Sequence, residues 1–395
     1  MSGTVLEGVR VLDFGRYIAG PWCAALLADF GADVIRVERV SGGDDRYQYP
    51  VTDKGEGACF LQMNRNKRGF TLNPMKSEGG EILRRLTSTA NVVIANLPAD
   101  TRKQMGLDYD HLRSIKPDII LTAISAFGEE GPYGNRVGFD GIGQAMSGAT
   151  YLSGWPGQPT KSYASWVDYS TAMFSAFGTL AAILEHRKTG RGQEVQTTLF
   201  GSAVTVFNFN LIEQALAKVN RVASGNRSQS SCPADISRTK DGYIQIQTVG
   251  NPLFERWVRL MGEPHWLDDP RFKTDDLRAR NGEILSRRTH EWAANHTTAE
   301  ALELLAKERI PAGPVYSPQD VLDDPHVRET GMLTPMEYPG ALGPVPVSMS
   351  PIRMSETPSE LRLRPPMVGE HTHDIMLELG FSEAEIERFK GQRVI

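Results

Sequence analysis

Asp168 stands in Val167-Asp168-Tyr169-Ser170-Thr171, just ahead of a long apolar helical stretch from Ala172 to Leu184. A carboxylate at that place faces the positive end of a helix dipole, an environment that is expected to hold it in position and keep it ionised. A positioned carboxylate can be an N-cap, a metal ligand, a general base or a covalent nucleophile. Ser170 and Thr171 lie closer to the helix and could cap it as well as an Asp can, which leaves Asp168 available for other chemistry.

Other groups with chemical potential surround it in the sequence. Arg36, Arg39, Arg65, Lys67, Arg68, Lys76, Arg102, Lys103 and Arg136 cluster near expected strand ends. In a parallel sheet those ends share one face, where a phosphate-bearing ligand suits them; the plainer reading is a solvated charged rim. His371-Thr372-His373 could be a metal pair, but no HExxH and no carboxylate set accompanies it, so a helix start is the better reading. No GxSxG elbow is present. Cys23, Cys59 and Cys232 show no CxxC spacing and read as packed side chains of a reducing compartment.

The elements that must carry these residues follow from periodicity. Val9–Phe14 is an apolar strand, Gly15 to Gly20 a turn, Pro21 the first position of a helix to about Phe30, and Asp33–Glu38 the next strand. Helices are expected at Lys76–Ala90, Tyr109–Ile115, Ser170–Arg187 and Leu199–Val219, with strands at Asn91–Ala95, Asp118–Ala123 and Glu194–Leu199. Alternation of this kind predicts an α/β fold with a Rossmann-like parallel sheet. After Arg221 the character changes. A polar Gly/Ser-rich loop from Ala223 to Cys232, a strand over Gly242–Val249 and mainly helical sequence from Leu253 to Glu308 point to a smaller, helix-rich domain. The expected division is 1–224, 225–325 and a segment 326–395 that rejoins the first domain through strand-like Val345–Met349 and helices over Thr372–Leu379 and Ser382–Phe389.

The first turn superficially resembles a dinucleotide fingerprint, with Glu38 where a ribose-binding acid would sit. However, Gly15-Arg16-Tyr17-Ile18-Ala19-Gly20-Pro21 lacks the close glycine pair of GxGxxG. Its free N–H groups at a helix start still suit a phosphate or carbonyl. The 395-residue chain is 40% hydrophobic and 23% charged, ordinary for a globular enzyme, and its net charge of −5 argues against a nucleic-acid partner. No apolar run of 18 or more residues predicts a membrane span, and no signal peptide is apparent, so the cytoplasm is the expected location.

Taken together, these blocks resemble the family III CoA-transferases, the group of formyl-CoA transferase and the carnitine-pathway CoA-transferases. The resemblance rests on Leu6–Phe14, Ala19-Gly20-Pro21, Gly31–Glu38, Asn66-Lys67-Arg68, Asp168-Tyr169, Thr189–Gln193, Ile310–Val315 and Gly369–Thr372, in that order. It implies an acyl-CoA:carboxylate CoA-transferase in which Asp168 is the nucleophile. The expected intermediates are a mixed anhydride and an aspartyl-CoA thioester, without ATP, metal or a tightly bound cofactor. With an ordinary carboxylate pKa of about 3.9, Asp168 would need no general base. By residue-to-residue resemblance the CoA contacts are Ile18, Ala19, Arg39, Leu72, Lys76, Asn96, Leu97, Arg102, Arg136 and Phe139. Gln104 stands where the family has an arginine, with Arg102 or Lys103 as substitutes. The glycine-rich loop of the formyl-CoA enzymes is absent, Ser228 to Cys232 taking its place. The family also implies an interlocked homodimer. The rival readings are an α-methylacyl-CoA racemase, which needs a base where Phe139 stands in Gly138-Phe139-Asp140, and a CoA-binding protein without turnover.

Overall fold

The expected alternation of strands and helices forms one six-stranded sheet. In a computed structural model describing residues 4–134 and 136–395, the strands are β1 (Arg10–Asp13), β2 (Asp33–Glu38), β3 (Lys67–Thr71), β4 (Val92–Ala95), β5 (Ile120–Ser125) and β6 (Glu194–Thr198). Every neighbouring pair is parallel and the order is β3-β2-β1-β4-β5-β6. The order reverses between β1 and β4, and in such sheets ligands bind outside the carboxyl ends of the strands at that point. Val11, Leu12, Val93, Ile94 and Leu121 are all buried. With both faces of the sheet covered, such strands read as continuous apolar runs.

Eight helices matter for the site: α1 (Ala19–Asp29), α2 (Ala58–Met63), α3 (Ser77–Ser88), α4 (Ala99–Gln104), α5 (Tyr109–Ile115), α6 (Asp140–Met146), α7 (Trp166–Thr189) and α8 (Leu199–Ala217). α7 lies on the sheet through small residues at helical spacing, among them Ala172, Ser175, Ala176, Thr179 and Ala182, all buried. The hydroxyl of Thr179 shares a 2.6 Å hydrogen bond with that of Thr122 on β5, and Ser175 shares one of 2.6 Å with Thr197 on β6. Small side chains let the helix approach closely, and the paired hydroxyls give each buried donor a partner. Among the described residues, α7 is the one helix long and apolar enough to cross a membrane, and half of that stretch is buried inside the protein. Polar residues interrupt it, so no unbroken apolar run marks it in the sequence.

The chain divides into two compact units. The first comprises Met1–Ser147, Ser162–Leu216 and Glu329–Ile395; the second comprises Gly148–Lys161 and Ala217–Arg328. In the first, the terminal helices Thr372–Glu378 and Glu383–Gly391 bury Ile375, Met376, Ile386 and Phe389 in the same core as Leu12, Ile35 and Val93. In the second, three antiparallel strands (Ala234–Arg238, Tyr243–Gln247 and Ala312–Pro314) pack with helices around Trp257, Phe254, Leu285 and Leu305. Only the middle strand is evident from sequence, because the first carries Asp235 and Ser237 and the last is three residues long with Gly313 and Pro314.

β3 is the strand of the main sheet that apolar patterning does not announce. Lys67-Arg68-Gly69-Phe70-Thr71 opens on two cations, yet it forms the sheet's edge, where charge blunts further pairing. Its basic side chains are not a free phosphate-binding rim. Lys67 Nζ donates to Asp13 (2.7 Å), to the Pro21 carbonyl (2.8 Å) and to Asn64 (3.0 Å), and is fully buried. Arg65 is paired with Asp29 at 2.5 Å, Arg68 with Asp33 at 2.7 Å, and Arg36 forks onto Asp45 with two 2.9 Å bonds. Buried charges require such partners.

Candidate active site

The turn after β1 is built by residues distant in sequence. Asp13 accepts the Gly15 N–H at 2.8 Å, and the ammonium of Lys67 holds Asp13 in place. A Cβ on Gly15 would stand 2.7 Å from Asp13 Oδ1 and from Pro21 Cδ, so only glycine fits this close turn. From the end of β4, Asn96 reads both sides of Arg16: its Oδ1 accepts from the Arg16 N–H and its Nδ2 donates to the Arg16 carbonyl, each at 2.8 Å. The Asn96 side chain therefore ties the two loops at the switch point together. Tyr17 follows in the left-handed region (φ +62°), a strained conformation for a residue with a Cβ. Its ring meets Phe139 edge-on with centroids 5.8 Å apart.

Two cavities open on the carboxyl ends of the strands. The larger, about 840 Å³, lies beyond β1, β2, β3 and β4 and is lined by Arg39, Leu72, Lys76, Leu97 and Gln104 among others. The second, about 300 Å³, lies beyond β1, β4 and β5 and is lined by Ile18, Ala19, Asn96, Leu97, Arg102, Arg136 and Phe139, with Asp168 in its wall. Arg16, Leu97 and Pro98 line both, so the two cavities meet there. All ten residues named as contacts from the sequence line one or the other.

The charges in the larger cavity are of two kinds. Glu38 is buried beneath it, with its carboxylate bound by Arg46 (2.8 Å) and by the Gly43 N–H (2.9 Å); burial works against its charge, but these partners hold its pKa below the usual range. It is thus not free to take a ribose hydroxyl, which removes the dinucleotide reading of its position. Arg39 is half exposed and pairs loosely with Asp44 at 3.2 Å, and Lys76 donates to the Gln392 carbonyl. Arg393, from the C-terminal tail, also lines this cavity, as does Gln104. No local motif marks Arg393; it reaches the site because the terminal helices fold back onto the sheet. Arg102 is one of the two residues expected to substitute at Gln104. It is buried, paired with Glu129 and 3.7 Å from Glu194, and it lines the second cavity rather than the first. In the second cavity Arg136 stacks over Tyr133 at 4.4 Å.

Asp168 departs from two expectations. The helix that carries it starts at Trp166, ahead of the Ser170 that its apolar pattern indicates, so Asp168 sits within the first turn. Ser170 and Thr171 do not cap it: their hydroxyls donate back to the Val167 carbonyl at 3.0 and 2.7 Å. The first amides are instead met by Asp140, which opens α6. Asp140 Oδ2 accepts from Val167 N–H at 2.8 Å and Asp168 N–H at 3.1 Å. The second departure concerns charge. Burial first, and the nearby Asp140 carboxylate second, push Asp168 up to about 7. Desolvation and a like charge overcome the helix dipole, so Asp168 is not an ordinary, fully ionised carboxylate at neutral pH. A carboxyl with so raised a pKa in a cavity wall is the pattern expected of a functional group.

Among the described residues, no group of three or more His, Cys, Asp and Glu is arranged to hold a metal ion. His371 Nδ1 accepts from the Gly69 N–H at 3.1 Å, and Thr372 starts a helix, which gives that pair its structural place.

The comparisons with known proteins agree over nearly the full length. Residues 6–372 match the profile of CoA-transferase family III. The chain is 31% identical over 398 residues to a succinyl-CoA–D-citramalate CoA-transferase of Chloroflexus aurantiacus, covering 99% of this chain and 98% of the relative. It is 31% identical to a succinyl-CoA:glutarate CoA-transferase of Mus musculus (99% and 90% covered). It is 33% identical to a succinyl-CoA:mesaconate CoA-transferase of Haloarcula hispanica (95% and 96% covered). Its fold is similar to that of a CAIB/BAIF family protein from Brucella suis, with a TM-score of 0.84 at 32% identity over 96% of this chain and 100% of that one. With the profile, the relatives and the fold in agreement, the chain belongs to CoA-transferase family III and is an enzyme of the CoA-transferring class.

Proposed function

We propose that the protein moves CoA from an acyl-CoA thioester to a free carboxylic acid, with Asp168 as the covalent nucleophile. The observation that carries this reading is the place of Asp168: a carboxylate in the wall of the smaller of two joined cavities, at the strand ends where a parallel sheet binds ligands. A nucleotide end suits the larger cavity, where Arg39, Lys76 and Arg393 offer positive charge and Leu72 an apolar surface. The pantetheine chain then passes Leu97, Asn96, Ile18 and Ala19, with Phe139, Arg136 and Arg102 along the second cavity, and brings the thioester to Asp168.

The steps balance without metal or ATP. An Asp168 oxygen attacks the donor thioester carbon, the C–S bond breaks, and CoA thiolate leaves a mixed anhydride. The thiolate attacks the Asp168 carbonyl carbon, the donor acid departs as its carboxylate, and an aspartyl-CoA thioester remains. The acceptor carboxylate attacks that thioester and releases thiolate, which then attacks the acceptor's acyl carbon and frees Asp168. The attacking form is the carboxylate, so an Asp168 pKa near 7 requires loss of a proton first in part of the population.

The relatives' names support succinyl-CoA as donor and a small dicarboxylic acid as acceptor. The racemase reading is disfavoured because Phe139, which cannot exchange a proton, stands at the place of the second base. The protein is further read as an interlocked homodimer of the cytoplasm. Support for the assembly comes from apolar side chains exposed on α7 (Phe174, Phe177 and Leu184) and α8 (Phe209, Ile212 and Leu216).

Incubation with succinyl-CoA, followed by hydroxylamine and peptide mass analysis, is expected to place a modification on Asp168. The Asp168→Ala variant is expected to lose transfer by at least about 10³-fold, as loss of a covalent nucleophile does. Full transfer by that variant would sink the mechanism.

A further inference from the structure

The segment leading into α7 is held by one turn of α6. Ser165, the residue before α7, makes no side-chain bond to the first amides of the helix. Trp166 N–H reaches the Ala164 carbonyl at 2.9 Å, but the next two amides need partners, because no earlier turn supplies carbonyls for them. Asp140 provides one from far back in the chain, with Oδ2 bound to the N–H of Val167 and of Asp168 itself. Its other oxygen accepts from Gln144 Nε2. Gln144, one turn along the same helix, accepts the Ser162 N–H at 2.9 Å and donates to the Ala164 carbonyl at 3.3 Å. Between them, Gly143 lets the helices touch: a Cβ there would stand 2.8 Å from Val167 Cγ1. Residues 162–168 therefore follow α6 as if splinted to it.

A serine cap would satisfy the same amides without charge. The chain uses a buried carboxylate instead, which places a second negative charge beside Asp168 and binds its amide with a stronger, charge-assisted bond. The other groups facing Asp168 do not supply that charge. Cys59 of α2 has its thiol pushed up to about 11, and Tyr169 is also raised, so both are neutral at neutral pH. Arg16 and Arg136 line the cavity as cations; of its carboxylates, Glu129 is paired with Arg102, and neither it nor Asp100 acts on the Asp168 charge as Asp140 does.

We propose that Asp140 is a positioning residue for Asp168: it fixes the turn that bears the nucleophile and supplies the like charge that faces it. The proposal rests on the reading of Asp168 as nucleophile. Removing the cap frees the turn, and a displacement of about 1 Å can cost about 10²-fold in rate. Removing only the charge makes Asp168 easier to ionise, so the acid limb of the pH profile moves to lower pH.

The test compares wild type, Asp140→Asn and Asp140→Ala in the full-length protein, with folding checked by circular dichroism. Asp140→Asn retains an acceptor for the helix amides but loses the charge and, with its amide NH2 facing Gln144 Nε2, the bond to Gln144. It is expected to shift the acid limb of kcat/KM down by about one pH unit. Asp140→Ala is expected to lower kcat about 10²-fold while KM for succinyl-CoA changes less than about threefold. If Asp140→Ala does not fold, the Asp140→Asn profile alone decides. A folded Asp140→Asn with the wild-type acid limb, in an enzyme whose wild type still forms the Asp168 adduct, overturns the role of Asp140 alone. A wild-type enzyme that forms no adduct overturns the nucleophile assignment, and this proposal with it.

Discussion

At the level of single residues, Asp168, the proposed nucleophile, is a side chain whose charge is costly to the fold. Its pKa is raised to about 7 from an ordinary 3.8, chiefly by burial and then by Asp140. Between those values the folded protein holds a proton that the unfolded chain has released. Stability from this group therefore falls as pH rises across that window, and the full penalty is present above pH 7. Asp168→Asn removes the penalty. It is expected to leave stability nearly unchanged at about pH 4 and to raise it by up to about 4 kcal/mol at about pH 8. Urea unfolding of both proteins at the two pH values checks this; equal midpoints under the alkaline condition would mean the carboxylate is not strained by its surroundings. A site residue whose replacement stabilises the fold is a common trade between stability and activity.

At the level of elements, the turn after β1 depends on a strand two places away in the sheet. Lys67 on β3 directs its ammonium protons to Asp13, Pro21 and Asn64, and Asp13 in turn holds Gly15. Burial lowers the Lys67 pKa to about 8 while Asp13 favours its charged form. Lys67→Met leaves Asp13 buried without its counter-charge, a change that costs about 3–5 kcal/mol. The expected result is a large drop in the denaturation midpoint together with weakened acyl-CoA binding, since residues of the Gly15–Tyr17 turn line both cavities. A variant as stable as wild type would show that Asp13 has another partner. The same element explains a gap in what the sequence conveys: Lys67 and Arg68 look like ligand-binding charge until the carboxylates of Asp13 and Asp33 are seen against them.

At the level of the whole molecule, the exposed apolar faces of α7 and α8 are the feature in want of a partner. Phe177 is 74% and Leu216 83% exposed, and exposed apolar helix faces mark interaction sites. If these faces meet a second copy, native mass spectrometry is expected to show a dimer that persists on dilution to nanomolar concentration. The double variant Phe177→Asp and Leu216→Asp should give monomer or aggregate. A wild-type chain that is monomeric at micromolar concentration would count against the interlocked assembly.

The alternation of strands and helices, the apolar helix bearing Asp168 and the loops of Ile18, Asn96 and Leu97 are all legible in the sequence. They are legible because apolar periodicity and turn chemistry act over a few neighbouring residues. The start of α7 is not legible for the same reason: the carboxylate that caps it, Asp140, lies 28 residues before Asp168 and leaves no local signature. Arg393 joins the larger cavity, Arg36 and Arg65 vanish into ion pairs, and Asp168 becomes a weak acid only once the chain is folded. Hydrogen bonding, pairing of charge and desolvation act through space, so they are decided by tertiary structure, and with them the protonation state of the proposed nucleophile.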